Sequence, residues 1–166
     1  MNPFKKVRKM LLSGLALSAL FVACAASAIE YTVIDQQATA GKRFPSLHFE
    51  VIQDEDLFKK LYAELHSHHL PAPLPPEVDF ESSFVLFVSM GEKPSAGYRV
   101  EIEKMKRSDD TLDVTLRLQA PPPGEMSAMV MTQPFVMAKV KKEKGIKKVE
   151  FLDQTGRSLY STAIPE

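Results

Sequence analysis

Histidine and cysteine are the residue types in this chain with the greatest capacity for chemistry, and it carries four of the first and one of the second. Three of the histidines, His66, His68 and His69, fall within a four-residue stretch. Imidazole is the commonest metal ligand, and His66 and His69 would share a face if a helix ran through both. The further carboxylate or histidine that a metal site needs is not found at ligand spacing, and polar residues also suit a helix C-terminus. The reading taken is a helix end, with no metal. Catalysis finds as little support. There is no G-x-S-x-G elbow, and neither paired carboxylates nor a histidine stand beside the loop that looks most constrained. His48 is the only histidine outside the cluster. A Ser-His-Asp site is spatial rather than sequential, so sequence alone does not reach it. The expectation is a non-enzyme with no catalytic residues and no cofactor.

Cys24 closes an N-terminal stretch organised like an export signal. Lys5, Lys6, Arg8 and Lys9 form a basic start, about 13 apolar or small residues follow from Met10, and Ala26-Ser27-Ala28 supplies a small-x-small cleavage pattern. The apolar run falls short of the roughly 20 residues that span a bilayer. Residues 1–28 are therefore expected to be a signal peptide. Residues 29–166 would be one globular domain, exported to the periplasm or the exterior. Phe21-Val22-Ala23-Cys24 also resembles a bacterial lipobox, which would end the signal at 23 and make a membrane-anchored lipoprotein through lipidated Cys24. With one cysteine, no intramolecular disulfide is possible, so the core must hold the domain together.

Setting aside the leader's four basic residues takes 21 Lys plus Arg down to 17, against 21 Asp plus Glu. A mildly acidic domain argues against nucleic acid or anionic lipid as the main partner. One stretch departs from this. Lys139, Lys141, Lys142, Lys144, Lys147 and Lys148 lie within ten residues. They read as a solvated hairpin tip that discourages edge pairing, or else as a surface for an acidic partner.

Periodicity supplies the elements that would position a site. Phe84-Val85-Leu86-Phe87-Val88 is an unbroken apolar run, too short for a buried helix and suited to a strand covered on both faces. Tyr98, Val100 and Ile102 alternate with Arg99, Glu101 and Glu103, which marks a strand with one wet face. Between them lies Gly91-Glu92-Lys93-Pro94-Ser95-Ala96-Gly97, whose glycines and proline predict a stiff, exposed connection. Ile29 to Ile34 and Leu47 to Ile52 read as earlier strands. Asp54 is placed to cap a helix with Leu57, Phe58, Leu61, Tyr62 and Leu65 on its apolar face, ending near 66–70. Pro71, Pro73, Pro75 and Pro76 then impose an extended connector. Leu112, Val114, Leu116 and Leu118 alternate as another strand, and Asp153 to Gly156 is a turn within a terminal hairpin. Core filling is the commoner use of methionine and is expected for Met126, Met129 and Met131, with a contact loop as the other use. The sum is an α+β domain: a mostly antiparallel sheet of about six to eight strands with one packed helix.

Val78-Asp79-Phe80, the apolar strand, the loop 91–98 and then Val100 and Ile102 together resemble the C-terminal domain of the protease complex subunit PrcB family. That family carries a VDF segment, a strand and a G-x-x-P-T-G-G-Y loop. The similarity continues through Pro123-Gly124, the methionine segment and Pro134-Phe135, so that 78–142 is covered in collinear order. Ser95 stands where the family has Thr, and Ala96 where it has Gly. The resemblance implies an exported, non-catalytic accessory subunit of the cell envelope. Such a subunit would bind a protein partner, in this family a secreted subtilisin-like protease whose assembly or maturation it assists. Gly91, Glu92, Lys93, Pro94, Ser95, Ala96, Gly97 and Tyr98 are the candidate partner-binding residues, although the same glycines and proline would also serve a purely structural turn. The loop is similar, too, to the N-P-T-T-G-Y loop of chagasin-type protease inhibitors, which suggests direct inhibition. A structural envelope lipoprotein is the third alternative.

Overall fold

An apolar strand with no polar side chain from Phe84 to Val88 can be solvated on neither face, and the fold covers both. In the computed structural model, which describes residues 28–164, that run lies inside a four-stranded sheet. The elements in chain order are β1 (Tyr31–Gln37), β2 (His48–Ile52), α1 (Glu55–Leu65), β3 (Ser83–Ser89), β4 (Arg99–Ser108), β5 (Thr111–Gln119), β6 (Phe135–Lys141), β7 (Lys148–Leu152) and β8 (Ser158–Ala163). The expected α+β class holds, with one helix and eight strands among the described residues. The strands form two sheets rather than one, in the orders β1-β6-β3-β2 and β4-β5-β7-β8. Only the β5–β7 pairing is parallel among those described.

The two sheets face each other across the main core. Phe84, Leu86 and Val88 of β3 and Val136, Ala138 and Val140 of β6 meet Val100, Leu112, Val114, Leu116, Val149 and Phe151 of the second sheet. The other face of the first sheet, through Val85, Phe87, Phe135 and Met137, takes Phe58, Leu61, Tyr62 and Leu65 of α1. Each enclosed Leu or Phe contributes roughly 1.5–3 kcal/mol through burial. The second sheet leaves its outer face to water, as the charged alternation of β4 and β5 requires. A bulge between Ile102 and Lys104 shifts the phase of β4, so that Met105 rather than Lys104 turns inward.

Asp54 caps α1 as expected, its Oδ1 accepting from the Leu57 N–H at 2.8 Å, with Glu55 and Asp56 in the first turn against the helix dipole. Leu57 itself is 58% exposed, so the packed stripe is narrower than its sequence suggested. The helix stops at Leu65, where the Gly41 N–H bonds to the Leu65 carbonyl at 2.6 Å. The first strand runs later than Ile29 to Ile34, because Ile29 turns aside to bond Met105.

The lysine-rich stretch is not a hairpin tip. β6 and β7 belong to different sheets, and residues 142–147 cross between them. Lys141 approaches Glu30 at 3.6 Å and Lys148 approaches Glu150 at 3.7 Å. The terminal hairpin is present as β7 and β8. Cys24 and all of the expected signal except Ala28 lie outside the described residues. Within those residues no helix is long and apolar enough to cross a membrane.

Candidate functional site

Register decides which loops meet. Ser89 at the end of β3 pairs with Phe135 at the start of β6, and Arg99 at the start of β4 pairs with Gln119 at the end of β5. The connections 90–98 and 120–134 must therefore leave the sandwich at the same end. The 38–47 connection joins them, since Gln37 pairs with Phe135 and His48 with Ser89.

These loops are bonded to one another. Lys93 and Thr132 exchange backbone hydrogen bonds at 2.8 and 3.0 Å, and the Ala96 N–H donates to the Ala128 carbonyl at 2.9 Å. The Thr132 hydroxyl donates to the Ser95 carbonyl at 2.8 Å, while the Ser95 hydroxyl bonds the Ala96 carbonyl at 3.2 Å. Glu92 ties in the third loop, its N–H donating to the Phe44 carbonyl at 3.0 Å and its carboxylate meeting Arg43 at 2.7 Å. Buried Gln133 locks the junction. Its side-chain carbonyl accepts from the Phe44 N–H at 2.8 Å, its side-chain amide donates to the Lys42 carbonyl, and its backbone N–H donates to Ala38. A buried amide with both ends satisfied fixes geometry as well as contributing stability.

The loop 91–98 thus has a fixed shape, and its residues differ in what they offer a partner. Gly91 is buried with φ at 73°, and a Cβ there would come within 2.5 Å of the Ser46 backbone, so its role is to hold the loop. Pro94 and Gly97 are exposed, and Glu92, Lys93, Ser95, Ala96 and Tyr98 are half-buried. Gly97 also needs its positive φ of 91°. Ala96 does not, because Asp109 is the only described non-glycine residue with positive φ. Alanine at position 96 is therefore unstrained. The Lys93 ammonium sits 5.7 Å from the Tyr98 ring centroid, where the ring face attracts a cation.

Core filling fails as the reading of the methionine segment. Met126 and Met129 are fully exposed, and Met131 and Val130 are 60% and 51% exposed. The Ala128–Ala96 and Thr132–Lys93 bonds hold the backbone on either side of Met129 to Met131, so these side chains project from the anchored loop edge. Four large apolar side chains within six residues form an exposed patch of the kind that marks contact sites. The sequence offered the methionines but not their direction, which the cross-loop bonds set.

Within the histidine cluster, His66 is buried while His68 and His69 are exposed. His66 caps α1 and is 3% exposed, with Nε2 2.7 Å from Asp35 Oδ2. Its Nδ1 is buried without a partner. The His66 and His69 rings lie tilted with centroids 5.7 Å apart, and no group of three or more His, Cys, Asp or Glu residues among those described is arranged to hold a metal. The Asp35 pairing spans 31 residues and has no local sequence signal.

Comparison with known proteins identifies the segment that carries this surface. Residues 84–141 match the family model described as PrcB C-terminal. The match runs from β3 to β6 and so includes both the 91–98 loop and the methionine loop bonded to it. No curated protein and no solved structure matches the chain.

Proposed function

We propose, for a chain whose residues 84–141 match the PrcB C-terminal model, that it is an exported, non-catalytic protein-binding module of the cell envelope. Its partner is a component of a protease complex, in the finer reading a secreted subtilisin-like protease or its precursor. One observation carries this reading. Within the family-matched segment, two loops bonded into one unit present Met126, Met129, Val130 and Met131 beside Lys93, Pro94 and Tyr98. Flexible thioethers adapt to irregular partner surfaces, and an anchored backbone lowers the ordering cost of association.

Affinity capture from the native envelope fraction tests it, comparing the tagged protein with a Lys93→Ala, Ser95→Ala variant. The expected result is recovery of one protease by the parent protein and about tenfold less by the variant. Equal recovery by both, or no protease at all, counts against the reading. Direct inhibition is the second reading, favoured by the convergence of three loops on one end with Pro94 exposed there. Assay of the captured protease separates the two: an inhibitor lowers turnover in proportion to its occupancy, and an accessory subunit does not.

A further inference from the structure

At the far end of the sandwich, where Ser83 opens β3 and Lys141 closes β6, the two sheets part around a cleft of about 470 Å³. This is the size range of small-molecule sites. Its floor is apolar, made by Phe84, by Ile146 of the crossover and by Ile164 after β8, all of which pack against the main core. Its rim carries Lys142, Glu143 and Lys147.

The three charges are not equivalent. Glu143 faces Arg107 at 3.5 Å and is already balanced. The Lys142 ammonium donates to the Phe80 carbonyl at 2.6 Å, a neutral acceptor, and acts on Asp79 only from longer range. Lys147 is exposed and forms no ion pair among the described residues. An apolar floor under a net positive rim matches a molecule with an alkyl body and one anionic head. We propose that this cleft binds a free long-chain carboxylate, with its chain over Phe84, Ile146 and Ile164 and its head between Lys142 and Lys147. A bilayer surface fits less well: the stretch holds six lysines, but the apolar residues beside them, Phe84, Ile146 and Ile164, are buried or half-buried in the cleft rather than projecting to enter a membrane. The cleft is remote from the loop surface and independent of it.

Calorimetry with decanoate, kept below micelle formation, tests the assignment. The expected result is saturable one-to-one binding, with acetate and decanol each binding at least about tenfold more weakly because each lacks one half of the recognition. A Lys142→Ala, Lys147→Ala variant with an unchanged melting temperature should lose about tenfold or more in affinity. Ile146→Ser should weaken the alkyl contact while leaving acetate unaffected. No saturable decanoate binding up to about 1 mM, equal affinity in the double-lysine variant, or binding only to phosphatidylglycerol vesicles would each overturn it.

Discussion

Asp153 does for the β7–β8 turn what Gln133 does for the loop end: one buried polar side chain satisfies several donors. Its Oδ1 accepts from the Thr155 hydroxyl at 2.6 Å and from the Thr155 and Arg157 N–H groups at 2.9 and 3.0 Å. Its Oδ2 accepts from Arg157 Nε at 3.0 Å. The Thr155 hydroxyl is the largest cause, joined by the Arg157 and Thr155 N–H groups and the Arg157 guanidinium, and together they pull the carboxyl from 3.8 down to about 2. A folded value below the unfolded one gives stabilisation that is complete above the unfolded value, near pH 4, and is lost as pH falls through about 2. The melting temperatures of the parent protein and Asp153→Ala should therefore differ most above pH 4 and converge toward pH 2. At the loop end, Gln133→Ala leaves the Phe44 N–H and the Lys42 carbonyl without the partner they now have. It should cost about 1–3 kcal/mol in denaturant unfolding. Partner capture should weaken with it, since the three loops lose their shared anchor.

At the scale of elements, β3 is the strand on which the others depend, with every residue from Ser83 to Ser89 buried. Phe87→Ala should cost about 3–5 kcal/mol, whereas Leu57→Ala on the exposed side of α1 should change stability by less than about 0.5 kcal/mol. Guanidinium unfolding of the two variants side by side checks that contrast. Elements set by local pattern were readable in the residues: the buried run of β3, the alternation of β5, the Asp54 cap, and the Asp153 to Gly156 turn. Features that arise between distant segments were not. The bulge at Glu103 rephases β4 without any break in its charged alternation. The β5–β7 pairing is parallel and skips β6, so a lysine-rich crossover looked like a hairpin. Met126, Met129 and Met131 are as apolar as core residues, yet they stand exposed on a loop that is tied to 93–96 through Ala128 and Thr132. His66 shows the same limit, since its partner Asp35 lies on β1.

On the whole molecule these features fall at two ends of one sandwich. The main core and the helix-side core meet at β3 and β6, which gives a rigid centre. One end carries the bonded loops and their methionines, the other the cleft with a lysine rim. The candidate loop was legible because glycine and proline mark turns in any context. The surface it belongs to was not, because half of that surface comes from residues about 35 positions further on. The central claim is that the partner docks on this loop end. Site-specific photocrosslinking in the native host cell measures it directly, with the reactive side chain placed at Met129 or, as a control, at exposed Lys106 on the wet face of the second sheet. The account predicts a crosslink from position 129 to a protease or its precursor and none from position 106. A protease crosslinked from 106 alone, or none from either position, would contradict it.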